Sequence, residues 1–342
     1  MNTLLIGLGQ AGTTITTLTS EILLTKSPET FINPNSTSVK TFLIDSECKV
    51  ISSILNTSSS LAPFFSKHTN LITNSSGRGN NWALGHSLNF KEFKTEKNIN
   101  QDSYEHFVNF IEKCDFINKI MITHSLNGGT GSGCGSRLIE MIREDFPKVS
   151  IIECPVFGFE IEKTTLSQFN TFFTIGNNYD YVDLIFKIEN EKFKKNFALA
   201  NKSITKNISD YILGNKHLQF NIEKYYQRLK FVNFGNFEYD YINDYTKLNN
   251  TKIDDELFWK DKNSKIICSD LIYKTSSSKN KDYLKLHDKI TKHKKCSISS
   301  STYIQDKEMK VNKMYIGSLY KSNNIEWIET MLSSIQKKIE QR

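Results

Sequence analysis

No stretch of the 342 residues approaches the roughly 18 consecutive apolar residues that a membrane helix requires, so no membrane span and no membrane partner are expected. The start, Met-Asn-Thr-Leu-Leu-Ile-Gly, lacks a basic segment and runs straight into a strand-like stretch, which counts against a secretory leader. Six cysteines, at positions 48, 114, 134, 154, 268 and 296, stand far apart with no C-x-x-C pair. Neither a zinc site nor a disulfide framework is indicated, and a reducing, intracellular compartment fits. Zinc-finger, RNP-type and helix-turn-helix signatures are missing, as is any internal repeat. The positive charge is itself missing from the first half. Residues 1–190 hold 15 Lys+Arg against 19 Asp+Glu, so the whole excess behind the net charge of +7 lies in 191–342. Ten lysines fall between Lys262 and Lys295. Such a patch can meet an acidic partner, but this is also the most Asn-, Lys- and Ser-rich stretch. A solvated loop is the simpler reading, and nucleic acid is not expected as a partner.

What is present is an alternation of strands and helices over residues 1–190. Short apolar runs at Thr3–Ile6, Thr41–Ile44, Lys119–Thr123 and Ser150–Cys154 predict strands. Helical periodicity covers Gly12 to about Leu24, Tyr104–Cys114 and the segment from about Ser136 to Pro147. The alternation predicts an α/β fold with a doubly wound, mostly parallel sheet. Past residue 200 the pattern weakens. Strands are expected at Ser264–Tyr273 and Met309–Ser318, a terminal helix at Ile325–Ile339, and a Lys/Asn-rich insertion over about 274–301. The expected organisation is a nucleotide-binding domain over 1–210 with a central helix at its end, then a smaller α+β domain over 211–342.

Four constellations carry chemistry. Gly7-Leu-Gly9-Gln10-Ala11-Gly12 lies between a strand and a helix, where glycines let backbone approach an anion and the helix N-terminus supplies free N–H groups. Ser125-Leu-Asn-Gly128-Gly129-Thr130-Gly131-Ser-Gly-Cys-Gly135 packs five glycines into its last eight residues. It sits between a buried strand and an amphipathic helix, the setting of a phosphate cradle. It is not a Walker A loop, since no Gly-Lys-Ser/Thr follows. A side chain at Gly131 should block the phosphate and resist a positive φ. Gly77-Arg-Gly79-Asn80-Asn-Trp-Ala-Leu-Gly-His is a third permissive loop with amide donors. Asp45-Ser-Glu47 closes a strand with two carboxylates suited to magnesium held beside phosphates.

Taken in order, these motifs resemble the tubulins and their prokaryotic cell-division relatives. The signature loop, Gly9-Gln10-Ala11-Gly12, Leu43-Ile44-Asp45-Ser-Glu47, Gly79-Asn80-Asn81-Trp82-Ala83 with Gly85-His86, and Ile142–Pro147 all fall in the family's sequence. Leu71–Gly77 looks closest to the epsilon branch, with delta-type tubulin next. The resemblance implies a cytoskeletal protein of the cytoplasm that binds GTP or GDP with Mg2+. It associates with other tubulins or with microtubule, centriole or basal-body proteins. By the same resemblance Gly9, Gln10, Ala11 and Gly12 meet the phosphates and metal shell, and Asp45 and Glu47 support magnesium. Gly79 and Asn80 lie near the γ-phosphate; Ser125, Gly128, Gly129, Thr130 and Gly131 form the diphosphate loop, and Asn190 reads guanine or ribose.

The departures are equally specific. Asn127 replaces the first glycine of the family's triple glycine. The acidic ribose contact falls on Ser167, the stacking aromatic on Thr205 and the base-pairing asparagine on Ser209, so base recognition should be weaker than phosphate recognition. Only 18 residues separate Ser209 from Arg228, too few for a long helix, a catalytic loop and the next helix. Glu223 does not fit the register of the family's catalytic acid. The closing helices and acidic tail of the family are expected to be missing. Catalytic residues stay unassigned, and GTP hydrolysis is expected to be weak or completed in trans. Two alternatives stand beside this reading: a non-polymerising pseudo-tubulin scaffold, and an NAD(P)-binding oxidoreductase suggested by Gly7-x-Gly9-x-x-Gly12 alone.

Overall fold

The computed structural model describes residues 3–26, 39–57, 69–73, 77–87, 98–112, 117, 119–158, 164–186, 188–189, 196–217, 231–241, 265–275, 298–305, 312–321, 333, 337 and 340. The chain forms two compact units, Met1–Ser209 with Ile325–Arg342, and Asp210–Asn324.

The first unit is built on parallel strands β1 (Thr3–Leu8), β2 (Val39–Asp45), β3 (Thr69–Thr73), β4 (Lys119–Ser125), β5 (Ser150–Phe157) and β6 (Leu184–Phe186), ordered β6-β5-β4-β1-β2-β3. A two-residue strand β7 (Ile188–Glu189) also pairs with β5. β1 is central, with Leu5 opposite Thr41 on one side and Met121 on the other. Strands covered on both faces need continuous apolar runs. Leu4-Leu5-Ile6, Ile120-Met121-Ile122 and Ile151-Ile152 supply them, each side chain at most 3% exposed.

The helices are α1 (Gly9–Lys26), α2 (Cys48–Thr57), α3 (Trp82–His86), α4 (Ile99–Glu112), α5 (Gly135–Asp145), α6 (Thr165–Asn178) and α7 (Phe197–His217). α1 begins at Gly9, three residues earlier than periodicity predicts, because its first turn is polar and glycine-rich. Its buried Thr19 and Ser20 donate to Ile15 and Thr16 carbonyls four residues back, which lets hydroxyls sit against the sheet. Ser20 Oγ also lies 3.2 Å from Thr41 Oγ1, joining α1 to β2. α7 is 21 residues long and runs past Ser209 to His217, into the interval expected to be too short for a long helix, a catalytic loop and the next helix together.

The strand order reverses direction at β1: the chain goes out through β2 and β3, then returns to β4 on the other side. The ends of β1 and β4 therefore open a crevice, the place where α/β sheets bind ligands. Both glycine loops of the sequence leave from it.

The second unit holds β8 (Phe231–Tyr241), β9 (Lys265–Thr275), β10 (Ile298–Gln305) and β11 (Asn312–Lys321) in the order β10-β9-β11-β8. β11 is antiparallel to both β8 and β9, while β9 and β10 are parallel. The ends of the segment expected to be an insertion belong to β9 and β10; residues 276–297 lie outside the described residues. Of the expected terminal helix, Ser333 and Lys337 are described and are helical.

Candidate functional site

β1 hands over to α1 at Gly9, whose φ of +69° suits glycine far better than any residue with a Cβ. Gln10, Ala11 and Gly12 form the first helical turn, where backbone N–H groups have no partner inside the helix. Gly12 carries the helix directly over the Thr123 carbonyl, leaving no room for a side chain. The same closeness recurs across the crevice. A Cβ on Gly9 would stand 3.0 Å from the Gly131 nitrogen, and one on Gly131 would stand 2.9 Å from the Ser125 carbonyl oxygen and 3.4 Å from that of Leu8.

The signature loop is not an open coil. After Leu126 it winds through Gly128 and Gly129 into one turn of π-helix, Thr130–Cys134, and continues as α5. Such turns recur at functional sites because they re-aim backbone groups. Gly131 therefore has helical backbone, and the positive φ expected there is corrected: the backbones of Ser125 and Leu8, not its own torsion, exclude a side chain. Ser125 accepts the Asn127 N–H at 3.2 Å and shapes the entry to this turn.

The third loop places Gly79 (φ +54°) and Asn80 (φ +51°) in succession in the left-handed region. The Arg78 carbonyl accepts the Asn81 N–H at 2.9 Å, and Asn81 Oδ1 caps α3 by accepting the Ala83 N–H at 2.9 Å. α3 then presses on the π-turn through Gly85 and Gly133, where a Cβ on Gly133 would stand 2.7 Å from the Gly85 Cα. Nothing lies within 4 Å of where a Gly79 Cβ would be, and over Gly128 only Asn80 Oδ1 comes that near, at 3.9 Å. Backbone is thus exposed to open space on both sides of the crevice, which is what a phosphate requires.

Asn170, on α6 and 1% exposed, joins these loops. Its Oδ1 accepts the Trp82 N–H at 2.9 Å, and its Nδ2 donates to the carbonyls of Asn80 at 2.6 Å and Asn127 at 2.7 Å. Sequence reasoning used Asn170 only as an alignment anchor; nothing local marks an asparagine mid-helix as the tie between two distant loops.

At the end of β2, Asp45 Oδ1 accepts the Glu47 N–H at 2.9 Å. Asp45 is 3% exposed, and burial, assisted by the Glu47 charge, pushes its carboxyl up to about 6 against the opposing Glu47 hydrogen bond. Glu47 is exposed and reaches back over Gly77. Among the described residues no three His, Cys, Asp or Glu side chains gather to hold a metal. Two carboxylates fit magnesium carried mainly by phosphates and water. Between them Ser46 places its Oγ 2.5 Å from Thr130 Oγ1.

Arg78 is 2% exposed, and its guanidinium hydrogen-bonds Cys134. That contact opposes the burial that pushes the Cys134 thiol up to about 12, so the thiol is inert. A second buried network lies beneath α5. His124 Nε2 is 2.8 Å from Glu153 Oε1, which also accepts from Asn178 Nδ2 at 2.6 Å. Gly135 stands over the His124 ring. Neither network was read from the sequence; the arginine inside a glycine loop was the one available signal.

The base-reading side gives less. Asn190 lies outside the described residues. Ser167 donates to the Thr164 carbonyl at 2.9 Å in the first turn of α6. Thr205 and Ser209 are 1% and 0% exposed on α7, and Ser209 donates to the Thr205 carbonyl at 2.7 Å. The Ser209 hydroxyl is spent inside its own helix, and the Thr205 hydroxyl is buried without a hydrogen-bond partner among the described residues. The structure thus brings together Gly9 to Gly12, Gly79, Asn80, Ser125 and Gly128 to Gly131, with Asp45 and Glu47 at their edge through Ser46.

Comparison with known families matches residues 2–198 to the Tubulin/FtsZ family, GTPase domain. The Tubulin beta-6 chain of Gallus gallus is 32% identical over 157 residues, 44% of this chain and 32% of that one. The Tubulin epsilon chain of Homo sapiens is 32% identical over 122 residues, 35% of this chain and 24% of that one. The matched stretch spans about a third or less of these relatives. CetZ from Methanosaeta thermophila strain DSM 6194 shares the fold, with a TM-score of 0.71 at 15% identity, covering 100% of this chain and 92% of that one.

Proposed function

Since this chain belongs to the Tubulin/FtsZ family, with a match over residues 2–198 of 342, we propose that its first unit binds GTP or GDP through the phosphates, with Mg2+ beside Asp45 and Glu47. One observation carries the reading. Three loops that are far apart in sequence converge at the β1/β4 crevice and leave backbone uncovered at Gly79 and Gly128 while closing tightly at Gly9 and Gly131. Amides of the first turn of α1 and of Gly128 to Gly131 would hold the phosphates. The metal would neutralise their charge.

Guanine is read weakly. Thr205 and Ser209 are buried, Ser209 is turned to a helix carbonyl, and as hydroxyl residues neither offers a stacking face or an amide to a base. The chain is a tubulin-like cytoskeletal protein of the cytoplasm whose partners are other tubulins or microtubule, centriole or basal-body proteins. The domain limits 1–210 and 211–342 are retained as part of this proposal. Hydrolysis is slow in the isolated protein. Phosphoryl transfer to water needs a group that orients the nucleophile, and the holding residues named here provide none.

The discriminating experiment is the nucleotide released on denaturing the purified protein, followed by competition of GTP against ATP. Bound guanine nucleotide, displaced several-fold less well by ATP, supports the reading. No nucleotide at micromolar protein favours the pseudo-tubulin scaffold instead, a reading supported by the burial of Thr205 and Ser209. The oxidoreductase alternative is dropped, since Gly7–Gly12 lies inside the stretch matched to the GTPase domain. Single-turnover GTP hydrolysis at rising protein concentration tests the last element; acceleration by the protein alone would refute it.

A further inference from the structure

Hydroxyls in and around the signature loop mostly turn back on their own helix. Thr13 donates to Gly9, Ser132 to Gly128, Ser136 to Ser132 and Thr174 to Asn170, each to a carbonyl four residues earlier. This is the common habit of Ser and Thr in a helical turn. Thr130, in the same turn as Ser132, breaks it. Its Oγ1 lies 2.5 Å from Ser46 Oγ, a residue 84 positions away at the end of β2. Ser46 is 1% exposed and is held at the apex of the turn closed by Asp45 Oδ1 and the Glu47 N–H.

A buried hydroxyl is costly unless its proton is given to an acceptor. Ser46 Oγ faces Thr130 Oγ1, so the bond satisfies both groups when Ser46 donates and Thr130 accepts. Thr130 is only half-buried, and its own proton is then free to point out of the loop between Gly129 and Gly131. An anion over those glycines selects this direction, because it accepts a proton and cannot donate one. The two hydroxyls then form a short polarised chain in which each bond strengthens the next. The same bond joins the carboxylate end of β2 to the phosphate loop.

We propose that Ser46 is a positioning residue that turns Thr130 away from its helix and makes it a phosphate donor. This deepens the guanine nucleotide reading of the same site and rests on it. Ser46 itself does not touch the ligand. Without its hydroxyl, Thr130 can swing back to a carbonyl of its own turn, as Ser132 does, and its contribution to the phosphate disappears.

The test is a double-mutant cycle on the full chain. GDP affinity is measured for the wild type, Ser46→Ala, Thr130→Ala and the double variant, with thermal melting of the ligand-free proteins alongside. Each single substitution should weaken GDP about tenfold, the worth of a hydrogen bond to a charged group. The double variant should lose no more than Thr130→Ala alone, and Ser46→Thr should restore most of the affinity. Melting temperatures should stay close together, so that the loss reads positioning and not unfolding. Multiplying losses in the double variant, or a Ser46→Ala protein that binds GDP like the wild type, would overturn the inference while leaving nucleotide binding intact. A wild-type protein that binds no guanine nucleotide overturns the reading of the site, and this inference falls with it.

Discussion

Gly9 and Gly131 meet backbone to backbone across the β1/β4 crevice, with 3.0 Å between a Cβ placed on Gly9 and the Gly131 nitrogen. The contact locks the turn that starts α1 to the turn that starts α5. Gly9 has a second reason to be glycine in its φ of +69°. Gly79 shares the unusual torsion but has nothing within 4 Å. The two positions therefore separate torsional cost from packing.

Gly79→Ala should cost about 1–2 kcal/mol of stability, the price of a left-handed residue with a Cβ. Gly9→Ala should cost more and should also displace Gly131, lowering GDP affinity by at least tenfold. Denaturant unfolding and equilibrium binding on both variants check this. Equal stability losses with unchanged affinity for Gly9→Ala would count against the contact.

Asn170→Leu removes three hydrogen bonds at once and leaves the Trp82 N–H and the Asn80 and Asn127 carbonyls without that partner. A loss of about 2–4 kcal/mol is expected. Asn170→Asp keeps an acceptor for Trp82 but turns a carboxylate toward two carbonyls, so it should be no better. Both should weaken nucleotide binding, because the third loop and the signature loop lose their common tie. Urea titration with the binding assay in parallel measures the two effects.

Asp45 is a carboxylate held out of water. Asp45→Asn removes the cost of that burial while keeping the shape, so the ligand-free protein should melt higher than the wild type at neutral pH. The Mg2+-dependent gain in nucleotide affinity should shrink in the same variant. Melting without ligand, then binding with and without chelator, tests the trade. A lower melting point with undiminished Mg2+ dependence would remove Asp45 from the metal side of the site.

Glu140 on α5 lies 3.0 Å from His86 Nε2 and 2.7 Å from Arg137 Nη1. Burial opposes its charge, but hydrogen bonds from His86, Asn177 and Arg137 win and hold its carboxyl below the ordinary value. A depressed carboxyl stabilises the fold above its unfolded pKa and loses that contribution as pH falls through the folded one. Glu140→Gln should therefore be less stable than the wild type at pH 7, and the gap should close as the pH is lowered below about 4.5. Melting curves across that range decide it.

The alternation of strand and helix in 1–190, and hence the parallel sheet, was legible because it is local. Apolar runs such as Ile120-Met121-Ile122 and the helical spacing of Leu138, Ile139 and Ile142 declare their own structure without reference to distant residues. The glycine-rich loops were legible for the same reason: glycine is a statement about backbone freedom that holds wherever the chain goes. The start of α1 was misplaced because Gly9 to Gly12 weakens the periodic signal where helix and loop meet. Gly131 was assigned a torsional need when its constraint comes from Ser125 and Leu8, which only the fold brings near.

Composition, glycine placement and hydrophobic period thus settled by themselves that the first half of this chain is an α/β fold with glycine-rich loops at the ends of its strands. What they left to the tertiary structure is which side chains tie those loops together. Asn170 reaches Asn80 across 90 residues and Ser46 reaches Thr130 across 84. His124 and Glu153 meet because β4 and β5 are neighbours in the sheet. A hydrogen bond works over about 3 Å and depends on direction. Partners so far apart in sequence are set by how whole elements pack, and no local pattern of residues carries that information.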